Sequence, residues 1–198
     1  MDSNGHESKR RRGIYLLPNL FTTIALFFGF FAIVPANGDQ FGVAAVCIFV
    51  AMVVDSLDGR VARLTNTQSD FGVQYDSIAD MVSFGVAPAL VIYEWALHSL
   101  ASMGPTWGKI GWLGAFTYTA CAGLRLARFN TMVGIVDKKY FQGLPSPAAA
   151  AAVVSLVWVG DELNARGWPV GLVAWVLTVT AALLMVSNIR YYSFKEFD

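Results

Sequence analysis

The chain has 198 residues, of which 56% are hydrophobic and only 14% charged, with a mean hydropathy of +0.52. A soluble domain carries about 25% charged residues, so this composition excludes an ordinary soluble enzyme and places the chain among membrane proteins. The formal net charge of +0 says less than where the charges fall.

The opening "MDSNGHESKRRRG" resembles the charged start of a signal peptide. The apolar run after it, Ile14 to Val34, is longer than the roughly 7–15 residues of a signal h-region, so a retained first span is expected. A spanning helix needs about 20 mostly apolar residues. Six stretches are predicted to qualify: Ile14–Val34, Phe41–Leu64, Phe71–Leu100, Ile110–Asn130, Ser146–Gly160 and Pro169–Ile189. "PANGDQ", "SMGPTWGK" and "GDELNARGWP" supply the turn and breaker signals between them. The expectation is a single all-α integral membrane domain over residues 14–190. A short N-terminal arm (1–13) and a C-terminal tail (191–198), both cytoplasmic, flank it.

Orientation follows from Lys and Arg. With the N-terminus inside, Lys9 to Arg12, Arg60, Arg63, Arg125, Arg128, Lys138, Lys139, Arg190 and Lys195 face the cytoplasm, and only Lys109 and Arg166 face outside. Trp95, Trp107, Trp112, Trp158 and Trp168 fall near the outer ends of spans and read as interfacial anchors. Cys47 and Cys121 lie in apolar runs and read as packing residues. Walker, dinucleotide and zinc-type patterns are lacking, and no nucleic-acid partner is expected. His6 and His98 are isolated and receive no role.

The exception to this apolar text is "DSLDGRVARLTNTQSDFGVQYDSIAD", from Asp55 to Asp80. Asp55 and Asp58 share a face of the second span, and Asp76 and Asp80 share a face of the third, because residues three or four apart are neighbours on a helix. The short polar connection "TNTQSD" makes the two helices adjacent, so four carboxylates are expected to converge near the inner interface. Such like charges require protons, cationic partners or metal ions. All-oxygen ligands suit Mg²⁺ or Mn²⁺ rather than zinc, and paired divalent ions suit displacement at phosphorus. Gly59 and Gly72 would let a diphosphate approach the backbone. Arg63 would offer paired donors, and Ser69 a hydroxyl. The same residues also suit a salt-bridge network with Arg60, Arg63, Arg125 and Arg128, or a cation or solute transporter.

The pattern Asp55-x2-Asp58-Gly59-x2-Ala62-Arg63-x8-Gly72-x3-Asp76-x3-Asp80 resembles the signature of the CDP-alcohol phosphotransferases, with each fixed position present. The six-span layout is similar as well. The resemblance implies that Asp55 and Asp76 bridge two divalent cations, Mg²⁺ or Mn²⁺. Asp58 would complete one cation's ligands and Asp80 the other's, with Asp80 also the catalytic base. Gly59, Arg63 and Ser69 would hold the diphosphate of the CDP-lipid. The entry "LPNLFTT" resembles the family's Asn-x-x-Thr, which implies nucleotide contacts for Asn19 and Thr22. Helix capping also suits those residue types.

Four further segments, "SDFGVQYDSIADMVSFGVAPA", "GLRLARFN", "FQGLPSPAAAA" and "MVSNIRYYSFK", resemble the branch that accepts L-serine. That likeness implies CDP-diacylglycerol and L-serine as substrates and phosphatidylserine and CMP as products. It also implies a multi-pass cell-membrane location with the site facing the cytoplasm. Phosphatidylinositol-phosphate, phosphatidylglycerophosphate and archaetidylserine synthesis remain alternatives. Arg125 and Arg128 are candidates for the serine carboxylate, since guanidinium pairs bidentately with carboxylate. Snorkelling, or pairing with Asp137, is the other reading. A homodimer is expected.

Overall fold

The computed structural model describes residues 4–65, 69–132 and 140–192. They form six helical rods and one short ribbon. Helix α1 spans Asn4–Ala36 and α2 spans Phe41–Thr65. The third rod combines α3 (Asp70–Asp80), a π-helical turn (Met81–Val86) and α4 (Ala87–Trp95). A 3₁₀ segment, Leu97–Met103, leads into α5 (Pro105–Met132). Strand β1 (Tyr140–Gln142), α6 (Ser146–Glu162), α7 (Trp168–Val186) and β2 (Arg190–Tyr192) complete the order.

Small residues decide how closely the rods approach. Ala25, Ala32 and Ala36 of α1 and Ala44, Ala45 and Ala51 of α2 are buried, whereas Phe27, Phe30, Phe31 and Val34 face outward. This arrangement, with small side chains inside and large apolar ones outside, fits lipid as the surrounding solvent. Among the described residues, four stretches are long and apolar enough to cross a membrane: Asn19–Ala36, Phe41–Val61, Phe71–Trp95 and Trp168–Val186. Helices α5 and α6 occupy the predicted fourth and fifth spans, and α6 has only 17 residues.

The third rod packs against α1, α5 and α6. It comes close to α1 at Gly29, where an added Cβ would collide with Ser83. The Ser83 hydroxyl donates to the Ala25 carbonyl at 3.2 Å. Helix α5 also packs on α7, and α2 on α6.

Several boundaries differ from expectation. Helix α1 starts at Asn4, ahead of Ile14, because "HESKRRR" is built of residues that tolerate a helix. The third rod stops at Trp95, where Ala96 leaves helical geometry (φ −138°), so Leu97–Met103 is a 3₁₀ segment and not the end of a straight span. Helix α7 ends at Val186 because Ser187 is extended. The chain then pairs with β1 in antiparallel register, Phe141 opposite Tyr191. Gly143 makes the turn out of β1 with φ +81°, and its N–H donates to the Ile189 carbonyl at 3.0 Å. The ribbon and the π turn are both absent from the sequence-based reading.

Candidate active site

Helix α2 carries Asp55, and α3 carries Asp76 and Asp80 one turn apart. Carboxylate oxygens of the three lie within 4.8 Å of one another, each side chain partly buried. Among the described residues, Oδ1 of Asp80 is buried with no hydrogen-bond partner. A cluster of hard oxygen donors with an unsatisfied buried acceptor fits a divalent cation of the Mg²⁺ or Mn²⁺ type. Of the four carboxylates predicted to converge, Asp55, Asp76 and Asp80 are seen to do so. Asp58 and Arg63 lie on α2 toward its C-terminal end, but their side chains fall outside the described residues.

Nearby residues assemble a second edge of the site. Ser69 caps α3, its Oγ accepting the Gly72 N–H at 3.1 Å. A Cβ at Gly72 would sit 3.2 Å from Ser69 Oγ and 3.5 Å from Asn19 Oδ1, so Asn19, Ser69 and Gly72 meet where α1 adjoins α3. Thr22, one turn after Asn19, is buried. Thr23, which the sequence reading passed over, shares a hydrogen bond of 2.9 Å with the Tyr75 hydroxyl. Among the described residues, and apart from its chain neighbours and its own helix backbone, no atom lies within 4 Å of the space where Gly59 would carry a Cβ. That open face suits close approach by a ligand.

The two candidate arginines diverge. Arg125 donates from Nη1 to Oγ of Ser146, 2.9 Å away, and Ser146 is fully buried at the start of α6. The Arg125 Nε is also buried without a partner among the described residues, and its guanidinium interacts electrostatically with Asp80. Arg128 instead donates to Asn188 Oδ1 at 2.8 Å, at the exit from α7. Its other expected partner, Asp137, lies outside the described residues. Ser146 was missed in the sequence, where "SPAAAA" reads only as the start of a helix. Asn130 was missed too: it exchanges hydrogen bonds with Ser77, joining the end of α5 to α3 beside Asp76.

Seen together, these residues pair an acidic, cation-ready centre with a guanidinium on one side and an open glycine face on the other. That is a layout for handling an anionic phosphate ester. Comparison with known proteins agrees. The CDP-alcohol phosphatidyltransferase family profile matches residues 15–187. A Helicobacter pylori protein named CDP-diacylglycerol–serine O-phosphatidyltransferase is 39% identical over 183 residues, covering 92% of this chain and 74% of the relative. A Methanocaldococcus jannaschii protein of the same name is 40% identical over 144 residues, covering 73% and 61% respectively. The archaetidylserine synthase of Methanothermobacter thermautotrophicus is 33% identical over 187 residues, covering 92% and 72%. The family match runs from the first helix to the end of the last and includes every aspartate of the cluster: the chain belongs to the CDP-alcohol phosphatidyltransferase family.

Proposed function

We propose that this protein transfers the phosphatidyl group of CDP-diacylglycerol to the hydroxyl of L-serine, giving phosphatidylserine and CMP. One observation carries the choice of acceptor. Asp80 offers a buried acceptor without a partner, and the nearby Arg125 offers a buried donor without one. Serine is complementary to both, with a hydroxyl proton to give and a carboxylate to receive. The names of the relatives at 33–40% identity support the same acceptor.

Asp80 accepts the serine hydroxyl proton. The serine oxygen then forms a bond to the phosphorus bearing diacylglycerol, and the bond from that phosphorus to the CMP oxygen breaks. Arg125 holds the serine carboxylate, with Ser146 fixing the guanidinium. Arg63, Ser69 and the open face at Gly59 receive the diphosphate, and Asn19 and Thr22 the nucleotide. Asp55, Asp58, Asp76 and Asp80 would hold two divalent cations, Mg²⁺ or Mn²⁺. When bound, these supply electrostatic stabilisation of the diphosphate and of the departing CMP.

The six rods are read as six spans with both termini and the site on the cytoplasmic side of the cell membrane, from the Lys and Arg distribution. Cysteines placed at Asn4 or Asp137 should react with membrane-impermeant reagent only after the membrane is opened. Those at Gln40 or Glu162 should react from outside. The same accessibility for positions 137 and 162 would remove α6 from the set of spans.

The deciding assay uses detergent-solubilised protein, CDP-diacylglycerol and Mn²⁺ or Mg²⁺, with serine, inositol phosphate or glycerol phosphate offered separately. CMP release should require serine. Release with another alcohol and none with serine would overturn the choice of acceptor. A second reading keeps serine but changes the lipid, because one relative is named archaetidylserine synthase. Substituting a CDP-activated ether lipid in the same assay separates the two.

A further inference from the structure

The third rod changes helical register immediately after Asp80. Met81–Val86 is a π turn, with the Ala87 N–H reaching back to the Val82 carbonyl, five residues away. A π turn accommodates an extra residue in the helical ladder. One residue of an α-helix corresponds to about 100° of rotation. The face on which Asp76 and Asp80 stand is therefore set, relative to the anchored α4, by whether this turn is present.

Three features hold it. Pro88 has no N–H, so the Phe84 carbonyl four residues earlier lacks its α-helical donor. Tyr118 of α5, fully buried, donates its hydroxyl to that carbonyl at 3.1 Å. Ser83, the residue before Phe84, is pinned to α1 through Ala25 and seated against Gly29. A buried carbonyl with no donor is costly, and a tyrosine buried at this depth usually finds a partner. Here the two needs meet at the turn that aims the carboxylates.

We infer that Tyr118 is a positioning residue for the aspartate cluster: its hydroxyl, by taking the Phe84 carbonyl out of the α-helical ladder, maintains the π turn that directs Asp76 and Asp80 towards Asp55. The inference rests on the reading of Asp55, Asp76 and Asp80 as cation ligands. It concerns a residue that touches neither substrate nor cation.

Two variants test it from opposite directions. Tyr118→Phe removes the hydroxyl and keeps the ring. Pro88→Ala restores an N–H and lets the ladder close as an α-helix. The readout is Mn²⁺ binding to the detergent-solubilised protein, followed by the electron paramagnetic resonance signal of free Mn²⁺. Metal-free thermal unfolding is measured alongside. Both variants should bind Mn²⁺ roughly 10- to 100-fold more weakly, the range found when a partner behind a metal ligand is lost. Pro88→Ala should do so with unchanged or higher thermal stability, an outcome that a purely structural role does not produce. Native Mn²⁺ affinity in both variants would overturn the inference, as would a fall in stability in Tyr118→Phe with affinity intact. If Tyr118→Phe fails to insert, Pro88→Ala decides alone. If the native protein binds no Mn²⁺ and Asp55→Asn changes nothing, the cluster reading itself fails and takes the inference with it.

Discussion

The two halves of the rod from Asp70 to Trp95 differ sharply although they form one helical course. In α4, Ala87, Pro88, Ala89, Val91, Ile92 and Trp95 are all buried, whereas in α3 Ala79 alone falls in that class among the described side chains. The α4 half is an anchor set among α1, α5 and α6. The α3 half has few packing contacts of its own and is positioned by polar links: Ser69 at its start, Asn130 on Ser77, and Tyr75 with Thr23. A membrane enzyme of this family must admit a lipid headgroup and a water-soluble acceptor. A fully packed α3 would leave no room for them. Rigidity is supplied from α4 through the π turn, while α3 stays open.

Substitutions can break this contrast in order of severity. Asp55→Asn and Asp76→Asn, on the open side, should leave insertion and folding intact. Both should lower turnover by at least about 1,000-fold, close to 4 kcal/mol of transition-state stabilisation. CMP release together with Mn²⁺ binding checks this, and near-native turnover in either variant would remove the cation-site reading. Arg125→Lys keeps the charge and loses the guanidinium fork. Losing a hydrogen bond to a charged group is worth about 1.5–3 kcal/mol, so the Michaelis constant for serine should rise roughly 10- to 150-fold. The constant for CDP-diacylglycerol should hardly move, and the maximal rate should fall less than serine affinity does. Ser146→Ala should shift serine in the same direction by less. Unchanged serine kinetics in both would return Arg128 to candidacy.

On the packed side, Ile92→Ala should destabilise by about 2 kcal/mol, the low end for a core truncation, because lipid provides no water-transfer gain to lose. Thermal unfolding should show that loss while the Michaelis constant for serine stays put. A shift in serine affinity would mean that the two halves are not separable. The smallest effect is expected for Ser69→Ala, which removes a helix cap worth about 1 kcal/mol. It should weaken CDP-diacylglycerol use severalfold without changing global stability. An equal loss in serine affinity would argue that Ser69 orders the whole of α3.

Much was legible in the residues themselves. Apolar run length located the four helices long and apolar enough to cross a membrane, since a helix with its backbone internally bonded is the form a single segment can take in lipid. The i,i+3 and i,i+4 spacing of the aspartates placed Asp76 and Asp80 on one face, and the full signature with its glycines pointed to the family. Those are local properties, fixed by 3.6 residues per turn and by side-chain chemistry. Three things needed the folded chain. Which arginine turns inward depended on Ser146 arriving from α6, a partner 21 residues away. The β1–β2 ribbon depended on two three-residue segments, too short to show a period, meeting across α6 and α7. The π turn needed both Pro88, which removes a donor, and Tyr118, which replaces it from α5. A sequence can announce the missing donor at Pro88. Only tertiary packing decides which group answers it, and with it the direction in which the carboxylates point.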